Sequence, residues 1–371
     1  MNSPVRPNVL GMTPYSPGKP IDEVKRELGL TEVVKLASNE NPLGPSPMAM
    51  AAVRRAAETM HIYPDASGHD LVQAISRKFN VPAWNIVLGN GSDELIHLLG
   101  LVLIDAPLDE VVVGDPSFVR YDAAAQLAPC KLVKVRLDSG DRHDLTAMAA
   151  AVNEHTKLVF IANPNNPTGT IVNRTELDAF LRDLPERVVV ALDEAYFEFA
   201  AHEPSYPNSL DYIRDGRSVI GLRTFSKAYG LAGIRLGFGF APAAIADGIQ
   251  RAREPFNVNA LAQAAGIAAL QDDEHLRRTL RANAEGMKTL TAAFEKHGCA
   301  VRQSYANFIF ADIGRPAQPV FQSLLEQGVI VRSGHVLGCP TALRVSIGTP
   351  EENSTFVEVF DVAMRQPAGA R

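Results

Sequence analysis

Ser218-Val219-Ile220-Gly221-Leu222-Arg223-Thr224-Phe225-Ser226-Lys227-Ala228-Tyr229-Gly230-Leu231-Ala232-Gly233-Ile234-Arg235 passes from an apolar run into a polar turn. The run Ser218–Leu222 reads as a buried strand. Two hydroxyls follow, then one lysine, a glycine-spaced turn and one arginine. Gly230 and Gly233 permit tight backbone and close approach of other groups. A lysine among Ser, Ala, Tyr and apolar neighbours is partly desolvated, which lowers its pKa and makes it a usable amine nucleophile. Thr224, Ser226 and Arg235 together suit one phosphate group. An amine able to form a Schiff base beside a phosphate cup meets the requirements of pyridoxal phosphate. On this stretch alone, a loop lysine with an unrelated arginine fits as well.

The other strands extend the pattern. Asn85-Ile86-Val87-Leu88 runs into Gly89-Asn90-Gly91-Ser92-Asp93-Glu94 and then an apolar helix through Ile104. Strand, glycine loop and helix N-terminus form an anion-binding arrangement. The third glycine of a dinucleotide fingerprint is absent, so a monophosphate cup is expected. An ordinary helix start with Ser92 as N-cap is the plain alternative. Glu110–Gly114 reads as a strand ending at Asp115-Pro116-Ser117-Phe118, where the aromatic could stack on a planar cofactor or pack in the core. Leu158–Ala162 ends in Asn163-Pro164-Asn165-Asn166-Pro167-Thr168-Gly169. Val188–Leu192 is apolar throughout, as in a parallel sheet covered on both faces. Asp193-Glu194-Ala195-Tyr196 follows at once. Ligand groups in open α/β sheets gather at the carboxyl ends of strands, and the glycine loop, Phe118, Asn166, Asp193, Tyr196 and Thr224–Lys227 all fall there. An aspartate beside a pyridine nitrogen keeps it protonated.

The expected fold class is α/β: a mostly parallel sheet with helices on both faces, plus a smaller α+β domain. Residues 1–35 read as an arm whose prolines exclude a continuous helix, residues 36–260 as the large domain and 261–371 as the small C-terminal domain. Further strands are expected over 234–240, 329–332 and 343–347, and long helical periodicity over 260–297 breaks near Asp272. Thr349-Pro350-Glu351-Glu352 is a capping box that starts the last helix. Arg344 alternates with apolar neighbours and Arg332 ends its strand, so the two could clamp an anion bidentately or simply lie solvated on the surface.

Composition narrows the classes. The 371 residues are 46% hydrophobic and 21% charged with net charge -6, ordinary for a globular protein and unlike a general nucleic-acid or anionic-membrane binder. Cys130, Cys299 and Cys339 are widely spaced and suggest no disulfide framework, so a reducing, cytoplasmic setting is expected. No signal peptide or membrane span is read, and no metal is expected.

With these residues placed, the chain resembles the fold-type I, pyridoxal-phosphate-dependent aminotransferases over nearly its whole length. The motifs are Thr13-Pro14-Tyr15, Leu36–Pro45 (LASNENPLGP), Tyr63-Pro64, Gly89–Glu94, Asn163–Gly169, Asp193–Tyr196 and Thr224–Gly237. The N-terminal ones resemble the histidinol-phosphate branch. The resemblance implies Lys227 as Schiff-base lysine, Asp193 as pyridinium partner, Tyr196 and Asn166 on the phenolic oxygen, and Phe118 on the ring. It implies the Ser92 and Asp93 amides, Thr224, Ser226 and Arg235 on the cofactor phosphate. Tyr63 would reach the cofactor phosphate of the other subunit, hence a homodimer. Tyr15, Asn166, Arg332 and Arg344 would hold substrate. The implied reaction moves the amino group of L-histidinol phosphate to 2-oxoglutarate, giving imidazole-acetol phosphate and glutamate. Aromatic amino acid transamination, threonine-phosphate decarboxylation and a non-catalytic, cofactor-binding regulatory domain are the competing readings.

Overall fold

The computed structural model describes residues 3–14, 18–128 and 130–365. Its largest sheet has seven strands: β2 (Ile86–Gly89), β3 (Glu110–Asp115), β4 (Lys131–Arg136), β5 (Thr156–Ala162), β6 (Val189–Asp193), β7 (Val219–Thr224) and β8 (Gly237–Phe240). Their order is β2-β8-β7-β6-β5-β3-β4. Only β8 runs against its neighbours; β7, β6, β5, β3 and β4 are mutually parallel. The central strands β5, β6 and β7 are buried almost throughout, which is why they read as unbroken apolar runs. Helices cover both faces: Leu95, Leu99 and Tyr121 pack on one side of β5 and β6, Leu177 and Phe180 on the other.

Helix starts follow local chemistry. Asn173 and Glu176 form a reciprocal capping box before Arg174–Asp183. The Thr349 box is also present: Glu352 N donates to Thr349 Oγ1 at 3.2 Å, and Thr349 N to Glu352 Oε2 at 2.8 Å. The periodicity over 260–297 resolves into helices Ala260–Gln271 and Asp273–Lys296, broken at Asp272, whose side chain caps the second.

A second sheet of four strands, β9 (Ala300–Val301), β10 (Phe308–Asp312), β12 (Arg332–Ser333) and β13 (Ala342–Ser346), packs with helices Asp273–Lys296, Ala317–Glu326 and Pro350–Arg365 around a separate core. Two sequence expectations change here. The strand expected over 234–240 begins only at Gly237, because Ala232–Ile234 make a 3-10 turn and Arg235 takes φ 60°. The strand over 329–332 is two: β11 (Val329–Ile330) pairs with β1 (Val34–Lys35), whereas β12 pairs with β13. Packing also crosses the borders expected at 35 and 260. Leu36 packs into the C-terminal core, Ala262, Ala265 and Ala269 pack into the core under β2 and β8, and Leu276, beyond the break at Asp272, still packs against that core. An apolar residue sides with whichever face it can bury against, and chain order alone does not reveal that.

Candidate active site

The carboxyl ends of β5, β6 and β7 open onto one pocket. Asp193 closes β6, Thr224 closes β7, and Lys227 lies on the turn beyond Thr224. Ser92, Asp93, Ser226 and Arg235 line one end of this pocket. Phe118, Asn166 and Tyr196 line it as well.

The anion-binding end combines backbone and side chains. Gly91, not Ser92, is the N-cap residue of helix Ser92–Leu103, so Ser92 is its first helical position. Gly91 has φ 74°, and a Cβ there would lie 2.5 Å from Arg235 Nη2. Only glycine keeps the guanidinium this close to the first-turn amides, which no intrahelical carbonyl can satisfy. Arg235 holds a left-handed backbone that costs a non-glycine residue roughly 1–2 kcal/mol. Its Nη1 reaches Ala232 O at 3.0 Å and Ser226 Oγ at 3.5 Å, and its Nη2 lies 3.4 Å from Asp93 Oδ2. Thr224 Oγ1 accepts from Ser226 N at 3.1 Å, which fixes the turn. Glu94 Oε2 accepts from Asn90 N at 2.6 Å and Asn257 Nδ2 at 2.7 Å and steadies the glycine loop. Amides, hydroxyls and one guanidinium converge as a phosphate requires.

At the pocket floor Lys227 Nζ donates to Ser38 O at 3.3 Å and lies 5.8 Å from the centre of the Tyr196 ring. Burial, with Arg344 adding repulsion, pulls its pKa down to about 8. Asp193 is 4% exposed. Its Oδ2 accepts from Tyr121 Oη at 2.7 Å and its Oδ1 from Ala195 N at 3.1 Å. Burial pushes its pKa up to about 6, with Tyr121 and Ala195 opposing. An ionised carboxylate there needs a cation, and a protonated pyridine nitrogen would supply one. Amine, buried carboxylate and phosphate cup therefore suit pyridoxal phosphate.

Tyr196 Oη accepts from Asn39 Nδ2 at 2.9 Å, and Ser346 Oγ donates to Asn39 Oδ1 at 2.8 Å. The cleft continues past Asn166 to Arg332 and Arg344. Asn166 Oδ1 accepts from Arg344 Nη1 at 2.6 Å, and Arg344 Nη2 donates to Ala37 O at 2.7 Å. Its carbonyl being engaged, Asn166 offers its amide NH2 to the pocket. Arg332 stands directly opposite Arg344 across β12 and β13. Like charges opposed in this way repel, and an anion between them relieves the repulsion. Neither arginine is the plain solvated one; Arg344 is 7% exposed.

Tyr63 is not in the pocket of its own chain. It is 79% exposed and its ring stacks on Phe256 at 4.6 Å. The expectation placed on Tyr15 lies outside the described residues. Sequence reading missed Tyr121, Asn39 and Ser38. Tyr121 lies on helix Arg120–Leu127, and Phe118 precedes that helix, so no periodic pattern linked the two rings in the sequence. Asn39 lies within the LASNENPLGP motif, but its partner Ser346 is 307 residues away.

Comparison with known proteins agrees with this geometry. The family described as aminotransferase class I and II matches residues 31–360. The histidinol-phosphate aminotransferase of Moorella thermoacetica is 50% identical over 356 residues, 96% of this chain and 92% of its own. Histidinol-phosphate aminotransferase 2 of Carboxydothermus hydrogenoformans is 46% identical over 97% of this chain and 99% of its own. Among solved structures, the histidinol-phosphate aminotransferase of Sinorhizobium meliloti, in complex with pyridoxal-5'-phosphate, superposes with TM-score 0.90 at 29% identity, covering 98% of each chain. The chain belongs to the class I and II aminotransferases.

Proposed function

We propose that this chain transfers the amino group of L-histidinol phosphate to 2-oxoglutarate; the relatives described above are named histidinol-phosphate aminotransferases. It is a transaminase with pyridoxal phosphate as cofactor. The observation that carries the substrate reading is the opposed pair Arg332 and Arg344, in one cleft with Lys227 and Asn166.

Bound in the pocket, pyridoxal phosphate supplies an electron sink for the pair left when the donor's Cα loses its proton. The chain's own groups do the rest. Arg235, Ser226, Thr224 and the Ser92 and Asp93 amides hold the phosphate end. Asp193 holds a proton on the ring nitrogen. Tyr196 Oη and the Asn166 amide would hold the ring's oxygen, and Phe118 would pack against the ring. Lys227 Nζ, half neutral at about pH 8 and more so above it, takes the Cα proton of the donor. Arg332 and Arg344 orient the donor phosphate and, in the second half-reaction, a carboxylate of 2-oxoglutarate. Placing the reacting carbon beside Nζ converts a bimolecular proton transfer into an intramolecular one.

The assembly read here is a homodimer, each chain lending Tyr63 to its partner's pocket; the exposure of Tyr63 supports this. The setting read is the cytoplasm, supported by three free cysteines. Among the described residues no helix is long and apolar enough to cross a membrane. The direct assay supplies L-histidinol phosphate with and without 2-oxoglutarate. Glutamate formed only when both are present supports the reading. Carbon dioxide released from phosphothreonine without any keto acid contradicts it.

A further inference from the structure

We propose that Tyr121 is a positioning residue that keeps Asp193 ionised and aimed into the pocket, and thereby sets how tightly the chain takes up pyridoxal phosphate and how acid a solution it tolerates. This rests on the reading of Asp193 as the partner of the ring nitrogen.

Tyr121 is 1% exposed, on helix Arg120–Leu127, and belongs to the core that also holds Ala162 and Ala191. Its ring is held on two sides. It stacks on Phe160 at 4.5 Å with an interplanar angle of 8°, and meets Phe118 edge-on at 5.7 Å. Phe160 lies on β5, in register with Ala191 of β6, two residues before Asp193. The hydroxyl therefore meets Oδ2 of Asp193 from a fixed direction, at 2.7 Å. The phenol is itself pushed well above its ordinary pKa by burial, so it stays a donor across the working range.

The surroundings otherwise disfavour charge on Asp193. Burial acts against the ionised form, and Asp93 and Glu194 add like charge. Tyr196 and Lys227 line the same pocket, and the buried Tyr206 interacts electrostatically with both Asp193 and Glu194. Against these stand two donors, Tyr121 Oη and Ala195 N. The backbone amide is fixed by the chain; the phenol is the donor that sequence can change. A hydrogen bond to a charged acceptor lowers an acid's pKa because it stabilises only the charged form.

The test is Tyr121→Phe, which removes one oxygen and keeps the ring. Apoprotein is titrated with pyridoxal phosphate at several pH values and followed by visible absorption, with circular dichroism to confirm folding. The expected result is about ten- to hundredfold weaker binding at pH 7. The acid midpoint of binding should also rise by about one pH unit. Phe160→Leu loosens the stacking that aims the hydroxyl but keeps the hydroxyl itself, and should move that midpoint less than Tyr121→Phe does. Unchanged affinity and midpoint in Tyr121→Phe overturn the proposal, as does an equal midpoint shift in Phe160→Leu. Asp193→Asn separates the two levels. If it binds cofactor like the parent, the reading of Asp193 has failed; if it loses cofactor while Tyr121→Phe does not, only the role of Tyr121 has failed.

Discussion

Lys227 combines a lowered pKa with a position at the floor of the cleft. Lys227→Ala should abolish turnover while the thermal melt stays close to that of the parent. Near-normal turnover in that variant contradicts its role. Its titration sets a pH dependence with a definite sign. The amine is pulled down to about 8, so the neutral form that attacks an aldehyde grows as pH rises towards that value. The rate of pyridoxal phosphate uptake by apoprotein should climb from pH 6 and level off above about pH 8, as stopped-flow absorption can show. Arg344→Lys keeps a charge but loses the fork that reaches Asn166 and Ala37. The KM for the phosphorylated donor should rise about ten- to hundredfold, on the order of one lost charge-assisted bond. The positions of Lys227 and Asp193 in one pocket were legible because each follows a strand whose apolar run announces it, whereas Arg235 fell inside an expected strand that begins only at Gly237. Tyr121 was not legible, because an aromatic inside a short helix looks like any other core residue until its hydroxyl is seen on a carboxylate.

At the scale of elements, what matters is how the ends of β6 and β7 are tied together. Glu194 follows Asp193, and Arg223 precedes Thr224. Their side chains form an ion pair at 3.0 Å, each 1% exposed. Ser209 adds two hydrogen bonds to Glu194, and the Arg223 guanidinium lies 3.3 Å from the centre of the Phe197 ring. Glu198 stands beside them with its pKa pushed up to about 7 by burial. Arg223→Met would strand the Glu194 carboxylate and should cost about 3–5 kcal/mol in urea unfolding. Adding Glu194→Gln should recover part of that loss, and an additive double variant contradicts the pairing. Strands such as β6 and β7 were readable from their apolar runs and positions. The splitting of 329–332 into β11 and β12 was not, since it depends on which neighbours the two halves meet. The late start of β8 follows from Arg235 turning back to the glycine loop, a tertiary demand with no local signature.

At the scale of the molecule, two cores meet along the cleft, and the segment Leu36–Asn41 passes between them. Asn39 bonds Tyr196 on one side and Ser346 on the other, and Asn41 Nδ2 donates to Ala228 O and Thr279 Oγ1. The fold class was legible because strand and helix patterns alternate along the chain. The borders between the two cores were not, because Leu36 and the helix Ala260–Gln271 pack across the order of the chain. A homodimer that shares Tyr63 should sediment at twice the chain mass, and Tyr63→Ala should loosen pyridoxal phosphate without altering the fold of the single chain. The most direct test of the whole account is the visible spectrum of the purified, cofactor-loaded protein during titration with L-histidinol phosphate and, separately, with phenylalanine. Bleaching of the lysine-bound cofactor band by histidinol phosphate at far lower concentration is the predicted result. Equal or preferential response to phenylalanine would contradict the assigned role of Arg332 and Arg344, and a protein that shows no such band after pyridoxal phosphate is added would contradict the role of Lys227.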